Sequence, residues 1–153
     1  MAGTTEIRAP RRKGSGASYV LERQAGFLIR KAQQRAVEIF MEAMSDHDIT
    51  PRQFSLLVKL SELGEASQNH LGRLVAMDAA TTAGVVTRLA KRRLIALEDD
   101  AADRRRLVLR LTRSGETLVR ETLERAPDVT RRILQPLSPG ERKTFLRLLD
   151  KLC

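Results

Sequence analysis

The side chains of this 153-residue chain with most to offer chemically are cations and small hydroxyls, not nucleophiles or metal ligands. Arg104, Arg105 and Arg106 stand consecutively, preceded by Asp99, Asp100 and Asp103 and followed by the run Leu107 to Leu111. Guanidinium groups at the tip of a strand-turn-strand unit suit insertion into a narrow, negatively charged groove of a duplex. Upstream, the segment from Asp78 to Arg93 has helical periodicity. Setting about 100° per residue and centring the buried side on Val86 brings Ala79, Thr82, Ala83, Leu89 and Ala90 to one face. The opposite face then shows Thr81, Gly84, Arg88 and Lys91, flanked by Ala80 and Thr87. That face is small near its start and basic near its end, which suits a helix whose first turns approach base edges while its later cations reach phosphates. Gly84 is the informative member: in an exposed helix interior it costs up to about 1 kcal/mol relative to Ala, and close approach to another surface is a reason to accept that cost.

Few residues point to catalysis. His47 and His70 have no evident acid-base partner, so no enzyme is expected. The one cysteine, Cys153, is terminal, and His and Cys are too few for a metal site or an internal disulfide framework; no metal and no cofactor is expected. The formal charge of +9 and a sequence pI near 10.7 favour a polyanionic partner, either nucleic acid or an acidic membrane surface. From residue 78 to 113, nine Lys and Arg face five acids, which marks this stretch as a basic footprint. No run of about 18 apolar residues would span a bilayer, and the basic start lacks the apolar core of a signal peptide; a cytoplasmic protein is expected. A non-sequence-specific basic helical protein, architectural or RNA-binding, stays open as an alternative. Four Phe, one Tyr and no Trp count against stacking on single-stranded RNA.

The elements that must position these groups follow from capping signals and periodicity. Residues 1–17 mix Gly, Pro, Thr and Ser with Arg8, Arg11, Arg12 and Lys13 and are expected to form a disordered basic tail. Phe27, Leu28, Ala32, Ile39, Phe40 and Ala43 recur at helical spacing in a proline-free stretch, predicting one helix from about Ser18 to Ser45, roughly 40 Å long. Thr50, Pro51 and Gln53 signal the start of a second helix with Phe54, Leu57, Val58 and Leu60 inward, and Gly64 is placed to end it. Ser67 caps a third, with Leu71, Leu74 and Val75 inward, and Asp78 caps the fourth. Two strands are predicted, Ile95 to Glu98 and Arg106 to Leu111. Thr112 caps a fifth helix, expected to be kinked or interrupted at Pro127. Ser138, Pro139 and Glu141 open a sixth, whose Phe145, Leu146, Leu148, Leu149 and Leu152 form an apolar stripe.

Two short helices joined by a tight turn, the second with an outward reading face, match a helix-turn-helix followed by a β-hairpin wing. The sequence resembles the MarR family of bacterial transcription regulators from about Ser18 onward. The resemblance is carried by Met77, Asp78, Ala79, Ala80 and Thr81, then Gly84, Val85, Val86, Arg88 and Leu89, then Asp103, Arg104 and Arg105, and finally Leu109, Leu111, Thr112 and Gly115. It implies a mainly α fold with a small β-hairpin wing, divided into a dimerisation helix (18–48), a winged helix-turn-helix region (49–112) and C-terminal dimerisation helices (113–153). It also implies a homodimer on an inverted-repeat operator in double-stranded DNA, with the fourth helix in the major groove, Arg105 in the minor groove and Asp103 bracing the wing. The full set expected to touch DNA is Ser67, Gln68, Asn69, Thr81, Thr82, Gly84, Thr87, Arg88, Lys91, Asp103, Arg104 and Arg105. Many members are repressors released by small aromatic or phenolic ligands. Phe27, Arg30, Phe54 and Leu57 are the expected lining of such a pocket, with the arginine pairing an anionic ligand. The segment Gly26 to Arg30 looks like a subgroup associated with aromatic-acid catabolism.

Overall fold

The computed structural model describes residues 19–99 and 107–153. Within them the order is α1 (Ala25–Ala43), α2 (Pro51–Leu63), β1 (Glu65–Ala66), α3 (Gln68–Leu74), α4 (Ala79–Lys91), β2 (Ile95–Asp99), β3 (Leu107–Leu111), α5 (Arg113–Ile133) and α6 (Pro139–Asp150), with 3₁₀ turns at Leu21–Arg23 and Ser45–His47. This is the predicted mainly α fold with a small winged sheet. The expected basic tail lies outside the described residues.

Helix starts are decided by chemistry within four residues, and each predicted cap is present. The side-chain oxygens of Thr50, Ser67, Asp78 and Thr112 accept the backbone N–H of Gln53, His70, Thr81 and Gly115 at 3.3, 3.4, 2.8 and 3.1 Å. Gln53 returns the bond, its Oε1 accepting the Thr50 N–H at 3.0 Å. Glu141 accepts both the N–H and the hydroxyl of Ser138, at 2.8 and 2.7 Å. Caps of this kind stabilise a helix by about 1 kcal/mol each. Gly64 closes α2 at a φ of 78°, a conformation that a Cβ would oppose.

The core is built around α2. Met44, Ile49, Leu56, Leu57, Leu60, Leu71, Leu89 and Leu109 are at most 1% exposed, so α2 is buried between α1 and α5 on one side and α3, α4 and the sheet on the other. In that sheet β3 is central, paired antiparallel with β1 (Ala66 opposite Leu109) and with β2 (Leu97 opposite Leu109). The two-residue β1 was not predicted, because so short a strand carries no periodicity. Leu107 is exposed, whereas Val108 and Leu109 are both buried: Leu109 joins the core and Val108 lies under the cleft at the start of α3.

Four further expectations are corrected. The first helix begins at Ala25, not near Ser18: Gln24 is extended, its Nε2 donates to the Val20 carbonyl at 2.9 Å, and the preceding residues form a 3₁₀ turn. Its 19 residues span about 28 Å. Second, of the kink or interruption expected at Pro127, the interruption is absent: α5 is one helix through that residue. Pro127 and Leu123 both lie on the exposed side, where solvent can replace the missing ladder bond. Third, Leu74 is 46% exposed; the inward side of the short α3 passes through Leu71, Gly72 and the half-buried Val75. Fourth, the buried face of α4 runs through Thr82, Val85, Val86 and Leu89, rotated by roughly 50° toward Val85, and Ala79 is left exposed.

One backbone junction joins the end of the α4 segment to the start of α5. The Leu94 carbonyl accepts the Thr112 N–H at 3.1 Å, and the Thr112 hydroxyl donates to the Arg93 carbonyl at 2.7 Å. A Cβ on Gly115 would stand 2.1 Å from the Leu94 oxygen, so no larger residue fits unless the backbone shifts. Gly115→Ala is therefore expected to lower the unfolding free energy in urea by about 1–3 kcal/mol, the usual cost of overpacking. Gly26→Ala, whose Cβ meets nothing within 4 Å, serves as the matched helix control and should show no such loss.

Candidate nucleic-acid interface

Asp78 organises the first turn of α4. Its Oδ1 accepts the Thr81 N–H at 2.8 Å while its Oδ2 accepts the Thr81 hydroxyl at 2.7 Å. These two bonds hold the Asp78 carboxyl below its ordinary value near 3.8. The Thr81 proton is thus spent on the cap, and what the half-buried residue presents outward is a hydroxyl acceptor and a methyl group. Such a surface can accept a hydrogen bond from an exocyclic base amine or pack on a thymine methyl.

The outward face continues as expected. Ala80, Thr87, Arg88 and Lys91 are exposed and Gly84 is partly so. The Thr87 hydroxyl donates to the Ala83 carbonyl at 2.9 Å, which leaves its methyl and lone pairs outward. A Cβ on Gly84 would meet nothing closer than the Arg88 guanidinium at 3.6 Å, ordinary contact. Nothing within the described residues therefore demands glycine there.

Thr82 does not belong to this face. It is 1% exposed, its hydroxyl donates to the Asp78 carbonyl at 2.7 Å, and it packs on Gly72 of α3. A Cβ on Gly72 would stand 2.5 Å from the Thr82 oxygen, so this pair sets the close crossing of α3 and α4. Gly72 escaped the sequence reading, although a glycine inside a seven-residue helix carries the same signal as Gly84. Ser67 and Asn69 are exposed and Gln68 is half-buried; together with Arg73, Leu107 and Val108 they border an open cleft of about 800 Å³ between α3 and the sheet.

Arg110 steadies that sheet. Its guanidinium reaches Glu65 on β1 and lies 3.2 Å from Glu98 on β2, bridging both neighbours of the central strand. Asp103, Arg104 and Arg105, assigned to the wing tip, lie outside the described residues.

The expected ligand set does not converge within one chain. Arg30 stacks over the Phe27 ring at 5.2 Å near the start of α1, about 20 Å along that helix from Phe40, which packs on Phe54 with centroids 5.4 Å apart. Leu57 is fully buried in the core. Instead a cleft of about 180 Å³ opens where α1, α2 and α5 meet, walled by Phe40, Pro51, Phe54, Ser55, Val129 and Thr130, with no charged side chain. Periodicity placed each residue on its helix but could not say which stretches of two helices lie side by side. Among the described residues no group of three or more His, Cys, Asp or Glu gathers to hold a metal, and no helix is long and apolar enough to cross a membrane.

Comparison with known proteins bears on this arrangement. A model of the MarR family matches residues 47–106. The HTH-type transcriptional repressor NicR of Pseudomonas putida is 37% identical over 134 residues, covering 88% of this chain and 85% of NicR. A probable transcriptional regulator from Pseudomonas aeruginosa superposes with a TM-score of 0.83 at 43% identity, over 88% of this chain and 100% of that one. BpsR of Bordetella bronchiseptica, whose DNA binding is regulated by 6-hydroxynicotinic acid, superposes with a TM-score of 0.83 at 37% identity, over 89% and 97%.

Two outcomes are expected from α4. Gly84→Ala should raise stability by about 0.5–1 kcal/mol in urea, as an exposed helical Gly→Ala change does, while weakening binding to duplex DNA in an electrophoretic or anisotropy titration. Stability and affinity rising together would remove the close approach. For Asp78 the folded carboxyl titrates below the unfolded one, so its stabilisation is complete above the ordinary value near 3.8 and lost as pH falls through the depressed value. Asp78→Asn, which caps without titrating, should flatten the acid loss of stability below about pH 4 in urea melts taken across that range.

Proposed function

The chain belongs to the MarR family of transcriptional regulators, and from that premise we propose that it is a homodimeric repressor that holds an inverted-repeat operator and releases it when a small aromatic acid binds. It is a DNA-binding regulator and not an enzyme. The observation that carries the operator reading is the solvent face of α4, where Thr81, Gly84, Thr87, Arg88 and Lys91 stand clear of the core on a helix capped and wedged in place by Asp78 and Thr82. Ser67, Gln68 and Asn69 at the start of α3 and Asp103, Arg104 and Arg105 at the wing tip complete the proposed contact set. Phosphate contacts from Arg88 and Lys91 set affinity, and the small residues of the first turns set sequence.

The dimer reading rests on uncovered apolar surface. No residue of α6 is buried within the chain, and Phe145, Leu146, Leu148 and Leu149 are 36–49% exposed along it. On α1, Leu28 and Ile29 are about half exposed. A second copy would cover both helices by a two-fold contact, which also matches the two-fold symmetry of an inverted repeat.

Repression is supported by likeness to NicR, and the effector class by likeness to BpsR. The cleft beside Phe54 has the character an aromatic ring needs, with two phenylalanines and the Ser55 and Thr130 hydroxyls around it. Arg30 does not line that cleft within one chain, so Arg30→Ala tests a carboxylate partner separately from the ring pocket.

In-vitro selection of bound duplexes followed by footprinting is expected to return an inverted repeat with half-sites about one helical turn apart. Protection without sequence preference would instead mark a general basic DNA or RNA binder. Titrating 6-hydroxynicotinic acid, or related aromatic acids, onto the complex is expected to release the DNA, and Phe54→Ala to blunt that release. Arg105→Ala is expected to weaken binding at every site and lower the salt slope by about 1.

A further inference from the structure

We infer that Arg92 is a positioning residue for DNA reading: it fastens the C-terminal end of α4 to the turn between α1 and α2 and so sets where the reading face lies relative to α5. Arg92 follows directly on the last residue of α4. Its Nη2 donates to the His47 carbonyl at 3.0 Å and its Nη1 to the Asp48 carbonyl. Residues more than forty positions apart are thereby joined by one planar fork. By composition Arg92 is one cation among Arg88, Lys91, Arg92 and Arg93, but its guanidinium is turned to protein carbonyls, whereas the charged groups of the other three have no such long-range partner among the described residues.

The turn is shaped to receive it. Asp48 holds a left-handed backbone, φ 46° and ψ 52°, which residues with a Cβ rarely adopt, and in this conformation two successive carbonyls face the same guanidinium. The turn is fastened on its other side as well. Both terminal nitrogens of Arg125 on α5 lie 3.2 Å from the Asp46 carboxylate, and one also donates to the Ala43 carbonyl at 3.2 Å. A continuous chain of bonds therefore runs from the end of α4 through Arg92, residues 46–48 and Arg125 into α5. Its one ion pair, Arg125 with Asp46, is exposed and weak taken singly. The two carbonyl bonds act differently, because they fix direction as well as distance. A lysine ammonium at the same place keeps the charge but not the planar two-donor geometry.

The inference rests on the reading of α4 as the groove-facing helix, and the experiment separates the two. Dissociation constants on the selected operator and on random duplex are measured for the parent, Arg92→Ala and Arg92→Lys at several salt concentrations. Both variants are expected to lose operator-over-random preference by about tenfold, the scale of one misread base pair, and Arg92→Lys to keep the parent's salt slope. The ratio is insensitive to any unfolded fraction, since that fraction scales both constants equally, so a merely destabilised variant would keep its preference. If Arg92→Lys restores the parent's preference while Arg92→Ala lowers the slope by about 1, Arg92 is a phosphate contact and the positioning role is wrong. Parent-like ratios in both variants also overturn it. If the parent itself shows no operator preference, the functional reading fails and the role of Arg92 falls with it.

Discussion

The carbonyl oxygen of Leu94 is the point on which the arrangement of this molecule turns. It accepts the Thr112 amide and occupies the space that a Cβ on Gly115 would need. The residue it belongs to closes the α4 segment, its own amide bonding back to the Leu89 carbonyl at 3.0 Å, while Gly115 lies in the first turn of α5. The α4 segment and α5 are therefore joined backbone to backbone where β2 begins and α5 starts. Such a contact transmits orientation, because backbone cannot change rotamer. The proposed function needs this: a ligand-driven change among α1, α2 and α5 alters DNA reading only if the helices move as joined bodies.

Glycine does a comparable job between α3 and α4. The Thr82 side chain takes the room that Gly72 leaves, and its hydroxyl is satisfied by the Asp78 carbonyl, so a buried polar atom costs little there. Gly84 on the opposite face has no such internal neighbour. Two glycines in adjacent helices thus stand in different settings, Gly72 against an internal neighbour and Gly84 without one.

The many arginines divide in the same way. Arg110 braces the sheet between Glu65 and Glu98, Arg132 reaches Glu42 at 2.7 Å to tie α5 to α1, Arg125 holds the turn after α1, and Arg92 clasps that turn from the α4 side. Arg88 and Lys91 are left facing solvent. A net charge of +9 attracts a polyanion at a distance, but the cations that can touch it are those not already engaged with acids and carbonyls.

What could be read from the chain alone was whatever is settled within about four residues: the caps at Thr50, Ser67, Asp78, Thr112 and Ser138, the outward face of α4, and the order of helices and wing strands. A cap closes its bond three residues away and a helix face repeats with a fixed angle, so neither needs tertiary information. Folding decided the rest. The α4 face turned toward Val85, the inward Thr82 found Gly72 as its partner, β1 formed only because β3 offered it an edge, and Phe27 and Arg30 were left at the far end of α1 from Phe54. These outcomes depend on which segments distant in sequence come to lie within a few ångströms, and that is fixed by how the helices cross, a quantity no single helix contains.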